Sequence, residues 1–177
     1  MSEDRVSAPI VEQQDPVGEE GTWIGLIGAA VVALWFLARD IAAGHPLRTP
    51  SILGQVLLMG KSSPKVDQLD FAGIILYTAA HVFVFLLFGM AVARLVRWSV
   101  RNHFVRYALL QVFLAFELFF CVVLLVFREE TRSLFPLSSV LIANTLAAIA
   151  IGMYLWRHHP ELRESLRQTP LGAAPLR

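Results

Sequence analysis

The sequence predicts an all-α polytopic membrane protein, with four transmembrane helices in an antiparallel bundle and a short interfacial helix in the first loop. Three observations lead there. Hydrophobic residues make up 56% of the 177 and charged ones only 16%, at a mean hydropathy of +0.59. A domain this small cannot hide so much apolar area in one core, so the excess faces something other than water. Long charge-free runs recur along the chain, and the cations gather in short groups between them, as they do in membrane loops. The same composition excludes intrinsic disorder as the global state. A net charge of +1 supplies no field for nucleic acid, which is not expected as a partner.

Residues 1–20 carry six acidic side chains (Glu3, Asp4, Glu12, Asp15, Glu19 and Glu20) against one arginine, with Pro9 and Pro16 among them. This reads as a disordered acidic tail, and it lacks the positive region that opens a secretory signal. The first span is expected at about 21–42, because Gly21 to Ala38 runs 18 residues without a charge and a crossing needs roughly 20 apolar residues. Gly21, Gly25, Ala29 and Ala33 recur every four residues there, leaving one face flat enough for a neighbouring backbone. In the following loop Thr49-Pro50 fits an N-cap followed by proline at the first helical position. The apolar stretch after it, about 50–60, is too short to cross and suits the interface.

The second span, about 71–95, rests on the 23 charge-free residues from Phe71 to Ala93. Arg94, Arg97 and Arg101 follow at i, i+3 and i+7, then Arg106, and all four are expected to contact lipid headgroups. The third span, about 107–127, is interrupted only by Glu117 and is apolar all round, unlike a surface helix. Residues 128–132 form so short a link that the third and fourth helices must be antiparallel neighbours. The fourth span, about 133–156, carries a second row of small or polar residues, Asn144, Ala148 and Gly152. In the C-terminal tail, 157–177, Pro160 opens a short amphipathic helix that uses Leu162 and Leu166.

Orientation follows from the cations. Nine Lys and Arg residues fall on the side shared by the N-terminal tail, the second loop and the C-terminal tail, against six on the other. Both termini are therefore expected in the cytoplasm, with the chain in the cell membrane. Trp23, Trp98, Tyr107, Tyr154 and Trp156 fall at one face and Trp35 nears the other, as interfacial aromatics should.

The informative chemistry lies at mid-depth. His81 is residue 11 of a 23-residue run, Glu117 residue 11 of 21 and Asn144 residue 12 of 24, so three helices place a strong polar group near the bilayer centre. A carboxylate there costs on the order of 2.5–3.5 kcal/mol on insertion scales, so an inward orientation with partners is expected. The reading is a cluster of His81, Glu117 and Asn144 inside the bundle, with Tyr77 and Thr78 one turn from His81. Such a layer either fixes helix register or holds a proton or a lipophilic ligand.

No GxSxG, HExxH, P-loop or GxGxxG sequence occurs, and no catalytic residue is assigned. No metal or cofactor is expected either. The single cysteine, Cys121, has no zinc-type spacing, and of five histidines only His81 lies within a span. The sequence thus reads as a small non-catalytic accessory or scaffold component of a membrane assembly. The alternative is a proton-coupled carrier or a binder of small lipophilic ligands that uses His81 and Glu117. Expected partners are the bilayer, and a second copy or other membrane subunits.

Overall fold

The computed structural model describes residues 16–101, Leu114, Glu117 and 136–160. Every regular element among them is helical: α1 (Pro16–Ala42), α2 (Arg48–Leu53) running into a π-helical turn (Gly54–Leu58), α3 (Phe71–Arg101) and α4 (Leu137–His158). Three of these, over Val17–Ala42, Phe71–Trp98 and Leu137–His158, are long and apolar enough to cross a membrane. The span expected at 107–127 lies outside the described residues apart from Leu114 and Glu117, both of which are helical.

Helix ends depart from the expected ones for physical reasons. α1 begins at Pro16, so residues 16–20 are helix and not part of a disordered tail. Proline suits a first turn because its missing N–H would have no partner there, and Glu19 faces the positive end of the helix dipole. α3 runs past 95 to Arg101, since an α-helix can continue beyond hydrocarbon once its side chains turn polar. α4 starts only after Pro136, whose extended ψ of 130° precedes the first turn. α1 ends where expected, followed by Gly44 in the left-handed region at φ 76°, a conformation that costs glycine little.

α1 and α3 cross in backbone contact. A Cβ on Gly89 would lie 2.1 Å from the Gly21 carbonyl oxygen, and one on Gly25 would lie 2.5 Å from the Phe85 carbonyl oxygen. Only hydrogen fits in either place, so the expected small-residue face of α1 is used inside the chain at Gly21, Gly25 and buried Ala29, while Ala33 is exposed. The row on α4 behaves otherwise: Asn144 is buried, yet Gly152 is exposed with open space in front of it. Two apolar clusters fill the space between the three long helices, one around Ile24, Val92, Val96, Ile151 and Leu155, the other around Val32, Phe85, Ala143 and Ala147. Their outer faces remain apolar and exposed, as at Leu34, Ile75, Phe83, Ile149 and Met153, the pattern of surfaces meant for lipid or another protein.

The first loop is a built structure. α2 starts at Arg48, and Thr49 is not its N-cap; the residue before the helix is Leu47, with φ 65° and no side chain able to cap. The cap comes from α1 instead. The Asp40 carboxylate accepts from the Thr49 backbone N–H at 2.7 Å and from the Thr49 hydroxyl at 2.7 Å. Pro50 sits within the first turn, where an N–H is not needed. Gln55, fully buried, accepts from Lys65 N–H at 3.0 Å and donates to the Lys65 carbonyl at 3.3 Å, so one side chain ties the loop to the π turn. The Ser51 hydroxyl accepts from Asp70 N–H at 2.9 Å, and Asp70 in turn caps α3 by accepting from Gly73 N–H at 3.1 Å. Gly54 and Gly73 touch through their backbones, since a Cβ on Gly54 would fall 2.0 Å from the Gly73 oxygen.

Candidate functional site

The polar residues of α3 lie on one helical stripe. Tyr77, His81 and Phe85 are spaced four apart, so their rings form a column: Tyr77 stacks on His81 with centroids 5.6 Å apart and planes at 28°, and His81 meets Phe85 at 4.7 Å and 50°. Phe85, 1% exposed, is wedged beside Gly28 of α1 and anchors the column. The His81 Nε2–H donates to the Ala29 carbonyl of α1 at 3.2 Å. A carbonyl can only accept, so this contact requires a proton on Nε2, and in the neutral form of the ring it leaves Nδ1 as an acceptor.

Glu117 and Asn144 meet: the Asn144 side-chain amide donates to Glu117 Oε2 at 3.1 Å. The other carboxylate oxygen, Oε1, is buried without a hydrogen-bond partner. The three-residue cluster therefore divides. His81 bonds to a backbone carbonyl of α1, and among the described residues no hydrogen bond joins it to Glu117, which bonds to Asn144 instead. Helix α1, which carries no ionisable group at mid-depth, is the competitor that sequence matching of side chains overlooks.

Beside the ring column a cleft of about 170 Å³ opens between α1, the start of α2 and α3. Tyr77, Thr78 and His81 form its polar wall, and Val32, Phe36, Leu37, Leu47, Pro50 and Ile74 supply apolar lining. Asp40 and Thr49 lie at its α2 end, already bonded to each other.

At the opposite end of the bundle a charged cluster joins three helices. Arg97 of α3 lies 3.5 Å from the Glu20 carboxylate of α1, and His159, just past α4, contacts the same carboxylate. Arg97 thus has an acidic partner within the chain. Arg94 is exposed, Arg101 is described only as helical backbone, and Arg106 lies outside the described residues. The aromatics at this end, Trp23, Trp98 and Trp156, are exposed, whereas Trp35 turns inward and donates from its indole N–H to the Ser139 carbonyl of α4 at 3.1 Å.

Sequence reasoning missed the polar loop residues apart from Thr49. Asp40, Thr49, Ser51 and Gln55 are all buried and polar, and Lys61 lies 2.7 Å from Asp70. Lys61 and the Gly73 N–H hold the Asp70 carboxyl below its ordinary range. Asp70 directly before an apolar run is a legible N-cap signal; the Asp40 contact had none. Among the described residues no group of three or more His, Cys, Asp or Glu is placed to hold a metal ion. Comparison with protein families, with curated proteins and with solved structures finds no match for this chain.

Proposed function

We propose that this chain is a non-catalytic accessory or scaffold component of a larger assembly in the cell membrane. In this reading it crosses four times, with 107–127 as the remaining span, both termini are cytoplasmic, and the segment 48–58 lies at the interface. The C-terminal tail from 157 rests along the headgroups through a short amphipathic helix. The observation that carries the reading is how the polar groups of the spans are used. Trp35 donates to Ser139, His81 to Ala29 and Asn144 to Glu117, so each locks one helix against another. Such contacts contribute roughly 0.6 to 2 kcal/mol each in membranes and chiefly fix geometry. The outer faces stay apolar and available to neighbouring subunits. Extraction in a mild detergent followed by native mass measurement tests this. Stoichiometric co-purifying subunits are expected, and a bare monomer or homodimer from native membranes counts against it.

A second reading, a proton-coupled carrier, is favoured by one observation: Glu117 Oε1 is buried and unpartnered. A carboxyl in that state is a natural place to load and release a proton. In proteoliposomes, Glu117→Gln, which keeps the shape and can still accept from Asn144, is expected to abolish proton flux. Unchanged flux in the folded variant removes this reading.

A further inference from the structure

Polar side chains inside the spans of this chain mostly find partners within it. The Thr22 and Thr145 hydroxyls each donate to the carbonyl four residues earlier at 2.7 Å, and Trp35 and Asn144 are bonded across helices. The wall of the α1–α2–α3 cleft is different. Among the described residues the Tyr77 and Thr78 hydroxyls make no hydrogen bond within the chain, and His81 uses Nε2 alone. Three groups with unspent capacity thus line one cleft whose other walls are apolar.

We propose that this cleft binds a lipid-soluble phenol: a single six-membered ring with a hydroxyl group and an apolar tail. Each part answers a feature of the site. In its neutral form the His81 ring offers an acceptor at Nδ1, which a donating ligand satisfies; the Tyr77 and Thr78 hydroxyls can donate, which an accepting ligand satisfies. One hydroxyl does both. Tyr77 and His81 both line the cleft, and contact with aromatic rings favours a ring over a slender alcohol. The volume sets the scale: about 170 Å³ is close to the roughly 150 Å³ of a cavity that takes up benzene, so a single ring fills it. Ala33, Leu34 and Thr78, exposed at the rim, leave a lateral exit toward acyl chains for the tail. Depth agrees, because His81 lies ten residues into α3, about 15 Å along the helix axis at ~1.5 Å per residue, where a plain phospholipid has only hydrocarbon to offer. The proposal deepens the lipophilic-binder alternative read from the sequence by naming the ligand class and by using His81 with Tyr77 and Thr78 in place of Glu117; a scaffold and a carrier can equally hold such a ligand.

The test uses the full chain in nanodiscs of phosphatidylcholine and phosphatidylglycerol, with radiolabelled 4-decylphenol as the probe and empty nanodiscs as the partition control. Saturable binding of one probe per chain is expected. Decylbenzene, which lacks the oxygen, and 4-decylanisole, which accepts but cannot donate, should bind about tenfold more weakly or worse. Loss of two neutral hydrogen bonds in Tyr77→Phe/Thr78→Val should weaken binding about tenfold. Ala33→Phe, which blocks the lateral exit at the rim and leaves every polar group in place, should abolish it and keeps the test sharp should the double variant fail to fold. The proposal is overturned by uptake equal to that of empty nanodiscs, by anisole binding as well as phenol, or by full binding to folded Ala33→Phe.

Discussion

At the loop end, where α1 hands over to α2 and α3 begins, the chain is stitched through buried polar side chains; within the spans, α1 and α3 are held by the contact of two backbones. Asp40, Thr49, Ser51, Gln55 and Asp70 bind one another or loop amides over distances of 2.7 to 3.3 Å. The crossing of Gly21, Gly25 and Gly89 rests mainly on backbone atoms. The difference follows from the surroundings. At a membrane boundary the unfolded loop is bonded to water, so a fold must replace those bonds to keep it compact. In hydrocarbon, burying an apolar side chain gains little over leaving it in lipid, and close van der Waals contact becomes the means of association.

The largest effect should come from the crossing. Gly89→Ala improves helix propensity by about 1 kcal/mol, yet its Cβ would meet the Gly21 oxygen at 2.1 Å and the Gly25 nitrogen at 2.5 Å. Both are backbone atoms and neither can swing aside. Overpacking against yielding side chains costs about 1–3 kcal/mol, and here the helices themselves must part. The expected result is a marked fall in thermal stability in detergent, net of the propensity gain. An unchanged or raised midpoint would mean that the backbones do not touch.

Asp40→Ala should come next, and it acts elsewhere. Removing the carboxylate leaves the Thr49 N–H and hydroxyl unpaired in a buried place, at a cost of about 2–3 kcal/mol. Hydrogen exchange should quicken through α2 and the π turn while amides in the spans of α1 and α3 stay protected. Faster exchange spread evenly over the molecule would show that the two regions are not separable.

The long elements were legible because hydrocarbon imposes a simple rule, length without charge, which the runs 21–38, 71–93 and 133–156 all obey. Their ends were less so, since acids at Glu19 and Glu20 or arginines after Ala93 mark where the membrane stops and not where the helix does. The mid-depth polar layer was legible as a set of residues needing partners, and Asn144 does reach Glu117. The His81 partner was hidden because it is a backbone carbonyl, a group present at every position and so without a signature. The Asp40 cap was hidden for another reason. It closes across a nine-residue turn that depends on Leu47 adopting φ 65°, a conformation leucine rarely takes and composition does not announce.

The smallest effect concerns Asp70, and it sharpens the contrast through pH. Its carboxyl titrates below the ordinary value because Lys61 and the Gly73 N–H favour the charged form. A group with a depressed folded value stabilises the fold above the ordinary aspartate range, near 4, and that contribution disappears as pH falls through the folded value. Acidification below about 4 should therefore fray the first turn of α3, read as faster exchange at Gly73 and Ile74, whose amides bond to Asp70. Lys61→Ala removes the largest cause and should flatten this response, while only slightly altering stability near neutral pH, because the pair is solvent-exposed. The glycine crossing contains no titrating side chain. Its exchange protection should hold over the same range, and loss of both together would show that the stitched loop supports the crossing instead of standing apart from it.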